Sequence, residues 1–199
     1  MMASSGVRLF YIAFVMASLA GCGASTPSRF YTLDLTASPA GAADAGITVV
    51  VGSVTLPAAV DRPQFVIQVT PNRVDIDEYN RWAGPLDDNI ARVVAGNLAV
   101  LLGSPRVARA PFANFDPAYR VSIDVQRFES VPGESALIEA LWTVRKTADG
   151  QIRSGHTLAL EAVKGKGFDT LAAAHSRALA TVSGDIATVI RAEADMNPH

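Results

Sequence analysis

The sequence predicts a single mixed α/β domain, its sheet mainly antiparallel, with two long amphipathic helices packed on it. Two segments, 85–103 and 168–194, repeat apolar residues with the 3.6 period of a helix. The stretch between them, from Tyr119 onward, alternates with period two, as half-buried strands do. A chain of 199 residues, 49% hydrophobic and 18% charged, is long and apolar enough for one such core and too apolar for disorder.

Residues 29–35 (RFYTLDL) alternate and are rich in strand formers, so they predict a first strand. An Ala/Gly/Pro-rich link follows over 36–46. Residues 47–56 (ITVVVGSVTL) are almost unbroken apolar, the pattern of a strand buried on both faces, and Pro57 stops it. Residues 64–70 and 73–79 flank Pro71-Asn72 and read as a hairpin. The clearest helix comes next. Pro85 is expected at its first helical position, where a missing N–H costs nothing, with Asp87 and Asp88 favouring the dipole. Leu86, Ile90, Val93, Val94, Asn97, Leu98 and Leu101 form its inner stripe, apolar apart from Asn97, and Gly103 and Pro105 end it.

Tyr119, Val121, Ile123 and Val125 alternate with polar residues; Pro132-Gly133 marks a turn; residues 136–146 place Ile138, Ala140, Trp142 and Val144 on one face. Asp149-Gly150 signals a tight turn, and 153–163 complete a meander. In the closing helix Phe168, Leu171, His175, Ala178, Val182, Ile186 and Val189 share a face, and Gly184 costs about 1 kcal/mol relative to alanine. Phe128 and Trp142 read as core residues.

The front of the chain, residues 1–21, reads as an address. Arg8 precedes an apolar run from Leu9 to Ala20, which at ~1.5 Å per residue spans about 18 Å, short of the roughly 30 Å a transmembrane helix crosses. A positive start, a short apolar centre and small residues before a cut site make a secretory signal. It ends in Leu19-Ala20-Gly21-Cys22, which resembles the bacterial lipobox. The alternative is an ordinary signal with a chance cysteine; against it, the chain's single cysteine falls at the cut site. Lipidation would place a diacylglycerol and an N-acyl chain on Cys22, enough buried methylenes for stable anchoring. The mature chain would begin at Cys22. Gly23, where an aspartate would retain a lipoprotein at the inner membrane, points to the outer membrane, facing the periplasm. Residues 22–28 then form the lipidated cysteine and a tether of about 20 Å at most from Gly23 to Ser28, and 29–199 the folded domain.

Charge and chemistry narrow the function. With 17 Lys+Arg against 19 Asp+Glu, net -2, the chain lacks the cationic surface that nucleic-acid binding requires. One cysteine excludes a disulfide framework and Cys-clustered metal sites. His156, His175 and His199 fall in no metal-binding spacing, and no G-x-S-x-G or phosphate-cradling loop occurs. His175, on the apolar stripe, reads as a packed, hydrogen-bonded histidine. Asp75, Asp77 and Glu78 read as a solvated edge, and no metal or other cofactor is implied. Arg81-Trp82 admits two readings: the guanidinium stacked on the ring, pinning the helix start, or the pair exposed as a recognition spot.

Four stretches carry a family likeness: VGSVTLPAAVDRPQFVIQV (51–69), YNRWAGPLDDNIARVVAGNLAVLLGS (79–104), IEALWTV (138–144) and AAAHSRALATVSGDIA (172–187). They resemble the PqiC/YmbA family of ABC-type transport auxiliary lipoproteins of Gram-negative envelopes. The most specific strings are L-P-x-x-x-D-R-P and R-W-x-x-P-L-x-x-N; Gln68, where arginine is usual, departs from the pattern. The resemblance implies a mixed five-stranded sheet flanked by helices, similar to the TolB amino-terminal domain. It also implies a non-enzymatic partner of MCE-domain proteins in lipid transport between the two membranes. On that view Asp61, Arg62, Pro63, Arg81 and Trp82 shape a partner-binding surface. A carrier that itself encloses an acyl chain is the alternative, an envelope hydrolase a weaker one, and a homo-oligomer is plausible.

Overall fold

The computed structural model describes residues 26–39, 46–111 and 115–196. Its elements are β1 (Arg29–Tyr31), β2 (Val49–Thr55), β3 (Gln64–Thr70), β4 (Arg73–Trp82), α1 (Leu86–Leu102), β5 (Val107–Arg109), β6 (Tyr119–Val131), β7 (Ser135–Lys146), β8 (Ile152–Ala162) and α2 (Phe168–Met196). The strands make two sheets: five strands ordered β5-β2-β6-β7-β8, and three ordered β1-β4-β3. In the larger sheet β2 runs parallel to β5 and β6, whereas β6, β7 and β8 form the expected antiparallel meander. The smaller sheet is additional to the five strands the family resemblance implies.

Period two along the meander sorts its side chains cleanly. Val121, Ile123, Val125, Ile138, Ala140, Trp142 and Val144 are buried beneath the helices, while Leu141, Leu158 and Leu160 stand exposed on the opposite face. β2 is buried on both faces only over Val49–Val51; from Gly52 it alternates, at a register shift against β6 between Val51 and Val54.

Helix α1 starts one residue later than the sequence predicts. Pro85 has φ -53 and ψ 133, an extended ψ, so it is the N-cap, and its carbonyl accepts the first helical bond from Asn89 N–H at 3.1 Å. Gly103 closes the helix in the left-handed region at φ 63, where a side chain would be strained, and its N–H reaches Val100 O. The polar blemish in the stripe, Asn97, is fully buried. Its Oδ1 accepts the amides of Thr36 and Ala37, both at 3.2 Å, and its Nδ2 donates to Ser183 Oγ on α2 at 3.4 Å.

That explains why the first strand is shorter than the alternation of 29–35 predicts. Beyond Tyr31 the chain leaves the sheet and is gripped by helix side chains. Arg92 donates to Leu33 O at 2.6 Å, Asp34 N–H donates to Ser176 Oγ at 3.0 Å, and Asn97 takes the next two free amides. Gly96 makes room for this crossing: a Cβ there would lie 2.1 Å from Leu35 Cδ2.

Candidate partner-docking surface

The two family strings, at either end of the β3–β4 hairpin, meet through the backbone. Pro57 O accepts the amides of Val60 and Asp61 at 3.0 and 3.2 Å, forming a turn that delivers Arg62 and Pro63 to the start of β3. Pro63 O then accepts Trp82 N–H at 2.7 Å, and Gln64 pairs with Arg81. Asp61, Pro63 and the outer part of Arg81 thereby share one exposed corner of the small sheet. Arg62 is half-buried, and its Nε has no hydrogen-bond partner.

Asp77 builds this corner. Its Oδ1 accepts the amides of Tyr79 and Asn80 at 2.9 and 2.8 Å and the Asn80 side chain at 3.0 Å. The β3–β4 register jumps here, with Phe65 opposite Asp77 but Gln64 opposite Arg81. Partial burial works against ionisation of Asp77, but these three donors outweigh it and hold the carboxyl below its ordinary range. An edge carboxylate in sequence is thus a bulge-forming group in the fold; the signal available was Asp three residues before Asn in a strand, an Asx-turn pattern.

Trp82 does not belong to the exposed corner. It is 4% exposed and its ring stacks on Phe65 at 4.0 Å, 28° between planes. Neither sequence reading of Arg81-Trp82 holds. The bulge turns the indole inward, while Arg81 turns outward to Glu78, its Nε donating to Glu78 O at 2.9 Å. Trp82 belongs instead to an aromatic cluster with Tyr31, Phe65, Phe128 and Phe168, which joins the small sheet to β6 and α2.

Beside the corner lies a groove of about 270 Å3 between the β3–β4 hairpin and β6, with Pro57, Val60, Val66, Val74 and Phe128 in its lining and Arg127 and Glu129 on its wall. Two of its lining residues, Phe128 and Ser130, contact the fully buried His175. That ring stacks on Phe128 at 3.9 Å, 9° between planes, and its Nε2 lies 2.7 Å from Ser130 Oγ. Burial with no compensating charge pushes its pKa down to about 3, so the imidazole is neutral. Its Nδ1 lacks a partner and Ser130 is 1% exposed. A hydrolytic pair needs an orienting group on the second nitrogen and a reachable hydroxyl; this geometry makes a core hydrogen bond.

Elsewhere, Asp88 pairs with Arg109 at 2.5 Å beside a cavity of about 510 Å3 at the α1 N-terminus. Among the described residues no group of three or more metal-ligating side chains converges, and no helix is long and apolar enough to cross a membrane. Leu19, Ala20, Gly21 and Cys22, the proposed lipobox, lie outside the described residues.

Residues 31–187 match the family described as ABC-type transport auxiliary lipoprotein component. The chain belongs to that family. Its PqiC/YmbA-type membership makes it an auxiliary, membrane-anchored lipoprotein component of a transport system. No curated protein matches the chain. Among solved structures, a crystal structure of an uncharacterized protein is 20% identical with a TM-score of 0.69, covering 83% of this chain and 99% of that one. The DUF330 protein XCC0632 from Xanthomonas campestris is 22% identical with a TM-score of 0.69, covering 84% and 99%. Both share the fold. A PelC dodecamer from Paraburkholderia phytofirmans is more distant, at 16% identity and a TM-score of 0.44, covering 75% and 93%.

Proposed function

We propose that this auxiliary lipoprotein is the non-enzymatic docking subunit of an MCE-type lipid transport system, anchored in the outer membrane through acylated Cys22 and facing the periplasm. The observation that carries the reading is the union of the two most specific family strings at the Pro63–Trp82 backbone bond, which presents Asp61, Arg62, Pro63 and Arg81 together at one corner. The corner offers charges of both signs beside the apolar groove. Trp82 contributes from beneath, by holding the corner's backbone.

Anchoring supplies the rest of the affinity. A short tether confines the corner to within a few nanometres of the membrane, so an MCE partner that reaches it meets a high effective concentration and modest contacts suffice. Crosslinking in envelopes followed by pull-down tests this: the wild type should recover an MCE protein, and Asp61→Arg with Arg81→Glu should recover far less at equal folding. No MCE protein from the wild type overturns the reading.

The groove favours a second reading, in which the domain carries an acyl chain itself, its lining being mainly apolar and open at one side. Native mass spectrometry of the delipidated protein offered phospholipid should then show a one-to-one adduct that Val66→Asp abolishes.

A further inference from the structure

β8 is the outer strand of the five-stranded sheet: β7 pairs along one side, and no strand among the described residues pairs along the other. Hydrogen-bond parity shows which groups face the open side. Val163 N–H donates to Glu134 O and Gln151 O accepts from Lys146 N–H, so odd-numbered residues aim their backbone groups at β7. Even-numbered residues, Ser154 to Leu160, therefore turn theirs outward. The Ala162 carbonyl follows the rule, for Arg177 of α2 takes it at 2.6 Å. Side chains divide likewise. Arg153, Thr157 and Glu161 bond to Glu193, Asp185 and Arg177 of α2, while Leu158 and Leu160 stand exposed on the uncovered face.

We propose that this edge pairs antiparallel with the same edge of a second copy, about a two-fold axis through Thr157. The charges select that occupant. Arg153 and Glu161 sit symmetrically about Thr157, so pairing centred there sets Arg153 of each copy opposite Glu161 of the other, twice over. The parity agrees: His156 meets Leu158 and Ser154 meets Leu160, each pair exchanging outward N–H and C=O groups. Helix α2 carries exposed small side chains at Ala173, Thr181 and Thr188, and its Arg177 and Asp185 lie down on Glu161 and Thr157 of β8; Asp185 meets its own copy at the axis, flanked by the two Arg153–Glu161 pairs. An isologous pair also closes an edge that would otherwise template open-ended association. This inference does not depend on the docking reading, which concerns the β3–β4 corner.

The test is sedimentation equilibrium of the mature chain in non-ionic detergent. Wild type should dimerise. Arg153→Glu and Glu161→Arg, each placing two like-charge pairs across the axis, should dimerise at least about tenfold more weakly. An equimolar mixture of the two should recover wild-type association, because the mixed dimer restores both opposite-charge pairs, and so should the double exchange. Loss of the Arg153–Glu193 or Glu161–Arg177 contacts cannot produce that recovery. A monomeric wild type, single variants as dimeric as wild type, or a mixture no tighter than its components would each overturn the proposal.

Discussion

Replacing Trp82 by alanine separates a core residue from a recognition residue. The ring is 4% exposed, stacks on Phe65 at 4.0 Å and meets Phe128 edge-on at 6.0 Å. Truncating a buried tryptophan costs about 3–5 kcal/mol, the Phe65 stack accounting for roughly 0.5–1.5 of it. With a urea slope of ~2 kcal/mol per molar, a loss of ~4 kcal/mol lowers the unfolding midpoint by about 2 M. Trp82→Phe keeps a ring against Phe65 and should lose less than half as much. Arg81→Ala removes only the contact with Glu78 and should leave the stability within about 0.5 kcal/mol of wild type. Urea unfolding followed by far-UV circular dichroism reads all three. Trp82→Ala within about 1 kcal/mol of wild type, yet unable to capture a partner, would refute the burial reasoning and return Trp82 to the surface.

Three further outcomes follow from the packing. His175 titrates near its ordinary value in the unfolded chain but only at about pH 3 in the fold; the unfolded state therefore binds the proton first, and stability falls as pH drops below about 6.5, by up to ~1.4 kcal/mol per unit. His175→Gln should flatten urea midpoints between pH 6.5 and 5, and an unchanged slope counts against a neutral buried ring. Asn97→Leu strands the amides of Thr36 and Ala37 and should cost about 1–3 kcal/mol, with those two amides losing hydrogen-exchange protection before the β6–β8 meander does. Gly155→Ala puts a Cβ 2.1 Å from the Trp142 ring opposite it; overpacking of about 1–3 kcal/mol and an altered near-UV spectrum are expected, and a wild-type spectrum would contradict the contact.

How much of this was legible depended on whether the determining contact was local. The β6–β8 meander and both helices follow from periods in the chain itself, and their buried faces are those the alternation and the stripes predict, except near the helix C-termini, where Leu102 and Ile190 rather than Leu101 and Val189 are buried. β5 was missed because three residues after Pro105 carry no period; Val107–Arg109 is a strand through parallel pairing with β2. The first strand was drawn too long because the alternation of 29–35 continues past Tyr31, while the Leu33 carbonyl and the Asp34 amide are taken by Arg92 and Ser176, 59 and 142 residues on. Asn97 was visible as a flaw in an apolar stripe, its partners were not. At the candidate site, the grouping of Asp61, Arg62 and Pro63 with Arg81 follows from a bulge at Asp77, and so does the inward turn of Trp82. Two adjacent residues in a loop-like string cannot reveal which will face solvent until that register is known.

The manner in which the chain enters the domain has a mechanical consequence. A pull at the amino-terminal end runs along β1, which lies parallel to β4, so the load arrives in shear and its three pairings must slip together rather than unzip one by one. Beyond them Arg92, Ser176 and Asn97 clamp the next residues to both helices, spreading tension into the most deeply packed part of the molecule. A domain leashed this way can be tugged by whatever engages its far side without the leash peeling it open.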